Sequence, residues 1–365
     1  MVTYDSPSMP ISLQNLNSQI KESSILFGTS SLGNLYQTLP YEKKKELIRE
    51  TLTHAGQRPI FDTAGKYGAG LALETLGQIL RDLDISPDMV SISNKLAWKQ
   101  TELITPEPTF EPGVWKNLKN DAACDISYDG IMECFQQGAD LLGKPYGFDL
   151  LSVHDPDEYL GSATNEKERD QRFGDILEGY RALEKLKKDG VTQSIGIGSK
   201  DWRIIASVVE EVDLDWVMLA CSLTPYIHDL ELVEFIETLR RRDVLVVNSA
   251  VFNGGFLVGG NHFDYRSVSP DEDPELFSWR TTFLGLCKNH DVNPAVACIQ
   301  FGMQLPGVVA TALNTTDPSK VKRNVDAVKA QVPADFWDAL RNSELVNTDY
   351  PFTHLISSSS TESAV

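Results

Sequence analysis

Between Ile60 and Gly70 the chain reads IFDTAGKYGAG, a short apolar run that ends in Asp62, Lys66 and Tyr67 among three glycines. Each of the three can hold or pass a proton. Two later apolar runs end the same way: SNKL supplies Lys95, and VHDPD supplies His154 and Asp155. An acid, a phenol, an ammonium and an imidazole are the parts of a general acid–base device. A free tyrosine titrates near ~10, and an ammonium beside it favours the phenolate. Two unit charges ~4 Å apart interact by roughly 4 kcal/mol at an effective dielectric of ~20, so Lys95 is expected to lower the Tyr67 value by a unit or two.

Each residue also has an ordinary explanation. An aspartate after a strand is commonly a turn former or cap, a tyrosine beside glycines packs at a rim, and a lone histidine is more often structural. Lys95 resists that treatment, because lysine is seldom buried without a partner. Lys66 adjoins Tyr67, but neighbours in an extended segment face opposite ways. Lys66 is therefore expected to be solvent-exposed.

Convergence of these groups requires elements that bring strand ends together. Eight β-rich runs occur, at 24–30, 59–63, 89–96, 148–155, 194–199, 216–222, 244–251 and 307–313. Several are apolar almost throughout, as strands buried on both faces are. Amphipathic segments lie between them, such as YEKKKELIRETLTHA, FGDILEGYRALEKLKKDG with Gly190 at its end, and DLELVEFIETLRRRD. Eight strand–helix repeats predict an α/β fold, a closed (β/α)8 TIM barrel. An open doubly wound sheet would want GxGxxG after its first strand, where this chain has FGTSSLGNLY. Residues 99–126 and 256–278 form long connections after strands, which places both on the C-terminal face where barrel sites are built. The expected organisation is an N-terminal extension over 1–20, the barrel over 21–350 and a disordered polar tail over 351–365.

The chain has 365 residues, 41% hydrophobic and 23% charged, with a net charge of -19. That charge argues against nucleic acid or an anionic membrane as partner. Five scattered cysteines without a CxxC pair predict reduced thiols. The N-terminus lacks the pattern of a signal peptide, and a cytoplasmic monomer or homodimer without a metal ion is expected.

FDTAGKYG is similar to the DTAxxYG signature of aldo-keto reductases, and the helix after it, LALETLGQIL, keeps that family's Glu74 and Leu76-Gly77. The resemblance runs from about Ile25 to about Val325. It implies an oxidoreductase moving a hydride between a nicotinamide cofactor and an alcohol or carbonyl carbon, with Asp62, Tyr67, Lys95 and His154 as its tetrad. Tyr67 would pass the proton, Lys95 tune it, Asp62 hold Lys95, and His154 orient the substrate oxygen. The same resemblance implies cofactor contacts at Gly28, Thr29, Ser199, Ser249, Asn253, Gly254, Asn314, Lys320 and Asn324. Two positions depart from the family: Gly198-Ser199 stands where a Ser-Asn pair is usual, and Cys221 where an aromatic ring usually stacks on nicotinamide. Asn314 occupies a place that is basic in NADP-preferring members, so NAD is favoured, with Lys322 and Arg323 keeping NADP open. The branch oxidising aldose sugars at C1 (L-fucose, L-galactose, D-arabinose) looks closest, with Tyr36, Trp98 and Asp155 as substrate contacts. Pyridoxal, an NADPH-dependent reductase of aldehydes or quinones, and a cofactor-binding regulatory subunit like potassium-channel β subunits are the alternatives.

Overall fold

Short runs of Ile, Leu and Val buried on both faces become the strands of a parallel barrel. In the computed structural model the described residues are 13–56, 58–264 and 266–352. The barrel strands are β1 (Ile25–Gly28), β2 (Ile60–Ala64), β3 (Ser91–Leu96), β4 (Leu150–His154), β5 (Ser194–Ser199), β6 (Trp216–Ala220), β7 (Leu245–Ser249) and β8 (Val308–Leu313). They pair in chain order, all parallel, and β8 closes on β1 through Ile25 opposite Thr311. This is the (β/α)8 barrel expected from the repeats, within a few residues at every strand.

The helices between strands start and stop on local signals. Ser127 accepts a hydrogen bond from the Gly130 N–H at the start of Tyr128–Leu142, and Asp229 accepts from Glu231 at the start of Leu230–Arg241. Helix Glu166–Lys188 ends in lysines just before Gly190, which has φ +73°. Gly77 marks a helix–helix contact, since a Cβ there would lie 1.8 Å from the Leu142 carbonyl oxygen. No helix among the described residues is long and apolar enough to cross a membrane.

The floor of the barrel is closed by helix Leu13–Ser23, most of it within the expected N-terminal extension. Its Leu16 and Ile20 are fully buried in one cluster with Leu26, Ile60, Leu150, Trp216, Leu245 and Ala310. At the other end of the chain Tyr350 stacks on Phe301 at 4.3 Å, and Phe352 on Trp337 at 4.9 Å. Packing therefore continues through Phe352, and the rest of the expected polar tail lies outside the described residues.

The roof is made by the two long connections. The 99–126 connection, with Trp98 before it, forms an antiparallel hairpin of Trp98–Glu102 with Asn120–Cys124, whose arm packs Phe110 and Trp115 against Ala69. Residues 256–278 contain a helical turn, Phe256–Val258, and a ribbon pairing His262–Phe263 with Arg266–Ser267.

Candidate active site

Strand register brings the four proton-handling groups together. Ala64 lies opposite Lys95, and Lys95 opposite Ser152, so Asp62 sits two residues below Lys95 and His154 two above on the flanking strands. The Lys95 ammonium donates to Asp62 Oδ2 at 2.5 Å and stands 4.9 Å from the centre of the Tyr67 ring. The Tyr67 and His154 rings meet edge to face at 5.6 Å. Gly198 lies beside His154 on β5, next to the Lys95 stem.

All four line one cavity of about 440 Å³ at the C-terminal mouth. Its wall also includes Gly28, Tyr36, Asp155, Ser199, Cys221, Ser249, Gly254 and Asn314 from the sequence-based candidates. Thr29, Trp98, Asn253, Lys320 and Asn324 are not on that wall. Thr29 is buried and donates its hydroxyl to the Asp62 carbonyl. Asn253 donates to the Asp264 carboxylate at 3.1 Å, tying the β7 loop to the ribbon. Trp98 packs on Phe110, with the Lys66 ammonium 5.0 Å from its ring centre. Lys320 is exposed, and Asn324 faces a small space behind β1.

Lys66 is where the structure corrects the sequence reading. Its residue exposure is only 2%, and its ammonium pairs with Glu158 at 2.7 Å, Glu111 at 2.9 Å and Asp155 at 3.0 Å. The alternation of an extended segment does not apply, because residues 65–70 form consecutive turns. The Tyr67 N–H bonds the Ala64 carbonyl and the Ala69 N–H bonds that of Lys66, so both neighbouring side chains enter the mouth. The turn is wedged tightly: Gly68 has φ +64°, and a Cβ on it would lie 2.3 Å from the Gly33 carbonyl oxygen.

Burial governs the protonation states. It pushes the Tyr67 phenol above its ordinary value, and the Lys95 ammonium opposes this without reversing it. The expected lowering of Tyr67 is therefore overturned in direction, because desolvation of the phenolate exceeds the attraction of one paired lysine. Burial also works against charge on Lys95, but Asp62 and Tyr67 outweigh it and hold the ammonium above the usual lysine range. His154 is held down to about 3 by burial despite Asp155 nearby, so its imidazole is neutral at physiological pH. Burial would raise Asp155 as well, yet His154, Lys66 and Lys200 keep it well below the carboxylate range.

The far end of the cavity suits an extended, phosphate-bearing ligand. In the β7 loop the N–H groups of Val251, Phe252 and Gly254 have no protein acceptor among the described hydrogen bonds, a backbone arrangement that favours anions. The Ser249 hydroxyl donates to the Leu219 carbonyl at 3.1 Å, which leaves its lone pairs outward. Ser199 donates to Asp157 Oδ1 at 2.6 Å. Cys221 is buried with φ +61°, and burial together with Asp264 holds its thiol well above the usual range. The wall after β8 is Asn314, Thr315 and Thr316, none of them a cation.

The sequence reading did not single out Glu111, Trp115 or Lys200, which also line the cavity. The Trp115 ring lies 5.8 Å from that of Tyr67, and its indole N–H donates to Glu111 Oε2 at 2.6 Å. The one available signal was the length of the 99–126 connection. Lys200 immediately follows Ser199 and pairs with Glu158.

Comparison with known proteins agrees with the barrel fold. The sequence profile described as "Aldo/keto reductase family" matches residues 24–344. A pyridoxal 4-dehydrogenase of Microbacterium luteolum is 29% identical over 334 residues, covering 88% of this chain and 93% of that protein. A D-threo-aldose 1-dehydrogenase of a Pseudomonas species is 27% identical over 337 residues, covering 88% and 94%. Among solved structures, the holo form of an aldo-keto reductase from Bacillus halodurans shares the fold with a TM-score of 0.64 at 19% identity, covering 90% of this chain and 93% of that one. The chain thus belongs to the aldo/keto reductase family, oxidoreductases that use a nicotinamide cofactor on small carbonyl compounds.

Proposed function

We propose that the protein oxidises an aldose sugar at C1 to its lactone, with NAD as hydride acceptor and Tyr67 as the group that takes the hydroxyl proton. The observation that carries this reading is a single cavity joining Tyr67, Lys95, Asp62 and His154 to the cation-free wall at Asn314–Thr316. Bound nicotinamide supplies the hydride acceptor. Tyr67 receives the proton of the C1 hydroxyl, and the Lys95 ammonium stabilises the phenolate that must form first. Asp62 holds Lys95 at 2.5 Å. Neutral His154 offers one donor and one acceptor, enough to orient the oxygen that becomes a carbonyl. In the reverse direction the same phenol donates.

NAD is preferred over NADP on the charge of the far wall. A 2′-phosphate wants several cationic donors, whereas Lys320 and Arg323 are exposed and Lys322 already pairs with Asp326 at 2.6 Å. The aldose reading draws support from the Pseudomonas relative, named for a D-threo-aldose. A second reading, oxidation of pyridoxal, draws support from the Microbacterium relative.

The test is a NAD⁺-reduction screen across aldoses, D-threo ones included, with pyridoxal and simple alcohols alongside and NADP⁺ in parallel. NADH formation with an aldose is expected, and Tyr67→Phe should lose nearly all turnover while still binding NADH by fluorescence titration. Absence of NADH with every aldose would sink the sugar reading, and wild-type turnover in Tyr67→Phe would sink the role given to Tyr67.

A further inference from the structure

The cavity wall also carries charged groups that the proton transfer does not use. Lys66 donates to Asp155 Oδ2 and Glu158 Oε2, and pairs with Glu111 Oε1. An ammonium has three N–H donors, and three carboxylates take them. Lys200 is held by Glu158 and, at 4.0 Å, by Asp155. Two lysines thus face three carboxylates, assembled from the turn after β2, the 99–126 arm, the end of β4 with its following helix, and the residue after β5. Lys66, Glu111, Asp155 and Lys200 line the cavity, with Glu158 behind them.

This wall presents acceptors. Ionised carboxylates only accept hydrogen bonds, and each has more lone-pair sites than its lysine partners fill. Asp155 lies 3.6 Å from His154 Nε2, so these acceptors adjoin the place where the substrate oxygen must sit. Hydroxyl groups on carbons near the reacting one can donate to them. A phosphate or carboxylate substituent brings further acceptors and negative charge to carboxylates, while both lysines are already committed to those carboxylates.

We propose that this network makes the substrate site selective for uncharged, hydroxyl-rich carbonyl compounds and their hemiacetals over phosphorylated or carboxylated counterparts. Lys66 is its positioning residue, holding Asp155 and Glu111 in place from a buried site beside Tyr67. The inference rests on the proposed active site, though not on which neutral compound the enzyme oxidises.

The experiment compares kcat/KM for neutral compounds and their phosphate esters: D-arabinose with its 5-phosphate, pyridoxal with its 5′-phosphate, and D-glyceraldehyde with its 3-phosphate. Each pair is run with NAD⁺ and, for the aldehydes, with NADH. The wild-type enzyme should favour the neutral member of every pair it turns over by at least about 100-fold. Glu111→Gln should shrink that ratio about tenfold. Lys66→Met should raise KM for the neutral member about tenfold while changing kcat less, and Lys66→Arg should restore it. A phosphate ester used within about threefold of its neutral partner overturns the proposal, as does a Lys66→Met loss confined to kcat. For a pair without turnover, the two dissociation constants from tryptophan fluorescence of the NADH complex give the ratio, and equal constants overturn it. Selection seen with pyridoxal or glyceraldehyde but no aldose turnover would reject the sugar reading and uphold the charge rule.

Discussion

Burial shifts Tyr67 up and His154 down, while Asp62 and Tyr67 hold Lys95 up against it, and these directions make testable claims. The Tyr67 phenol is raised even with Lys95 beside it, so oxidation should climb as pH rises through the alkaline range, while reduction falls. Lys95→Met removes the ammonium that opposes the shift and should lower oxidative kcat by about 100-fold or more, within the range for lost acid–base assistance. An oxidative rate flat from neutral to strongly alkaline pH would contradict the assignment. His154 makes a stability claim as well. Its folded value of about 3 lies below the ordinary 6.5, so the unfolded chain binds the proton first as pH falls. Its linkage therefore costs no stability above about 6.5 and progressively more as pH drops toward 3. Melting temperature measured against pH should fall less steeply over that window in His154→Asn than in the wild type.

The elements that matter most are the turn after β2 and the arm over 99–126. Gly68 meets the β1 loop at Gly33 with no room for a side chain. Gly68→Ala would combine that clash with a left-handed backbone, a strain of order 1–3 kcal/mol. It should lower the melting temperature and also kcat, because Tyr67 and Lys66 both hang from this turn; unchanged values for both would show the wedge to be dispensable. The eight strands were legible because burial on both faces writes continuous apolar runs into the chain. The residues Asp62, Lys95 and His154 were legible because each ends such a run. Lys66 was misread because a two-residue alternation was carried across a turn that glycines had already bent. Glu111 and Trp115 were signalled only by the length of the 99–126 connection: they reach Tyr67 and Lys66 through an arm whose docking is a long-range contact, and nothing local in PTFEPGVW encodes it. Asn253 and Thr29, expected as cofactor contacts, spend their side chains on the scaffold, on Asp264 and the Asp62 carbonyl.

At the scale of the molecule, the floor helix ties distant parts of the chain to one cluster. Leu16 is wholly buried there, so Leu16→Ala should cost about 2–5 kcal/mol, read as a lower denaturant midpoint, with the active-site residues at the opposite end untouched. A midpoint equal to wild type would mean the floor is closed without this helix. The cluster joins Leu16 and Ile20 to Leu150, Trp216, Leu245 and Ala310, and β1 pairs with β8 as well as β2. Protein synthesis therefore imposes a delay: the first helix emerges long before its last partners exist. At roughly 5–20 residues per second, the nearly 300 intervening residues take on the order of 15–60 s to make. Through that interval Leu16 and Ile20 have no finished barrel to cover.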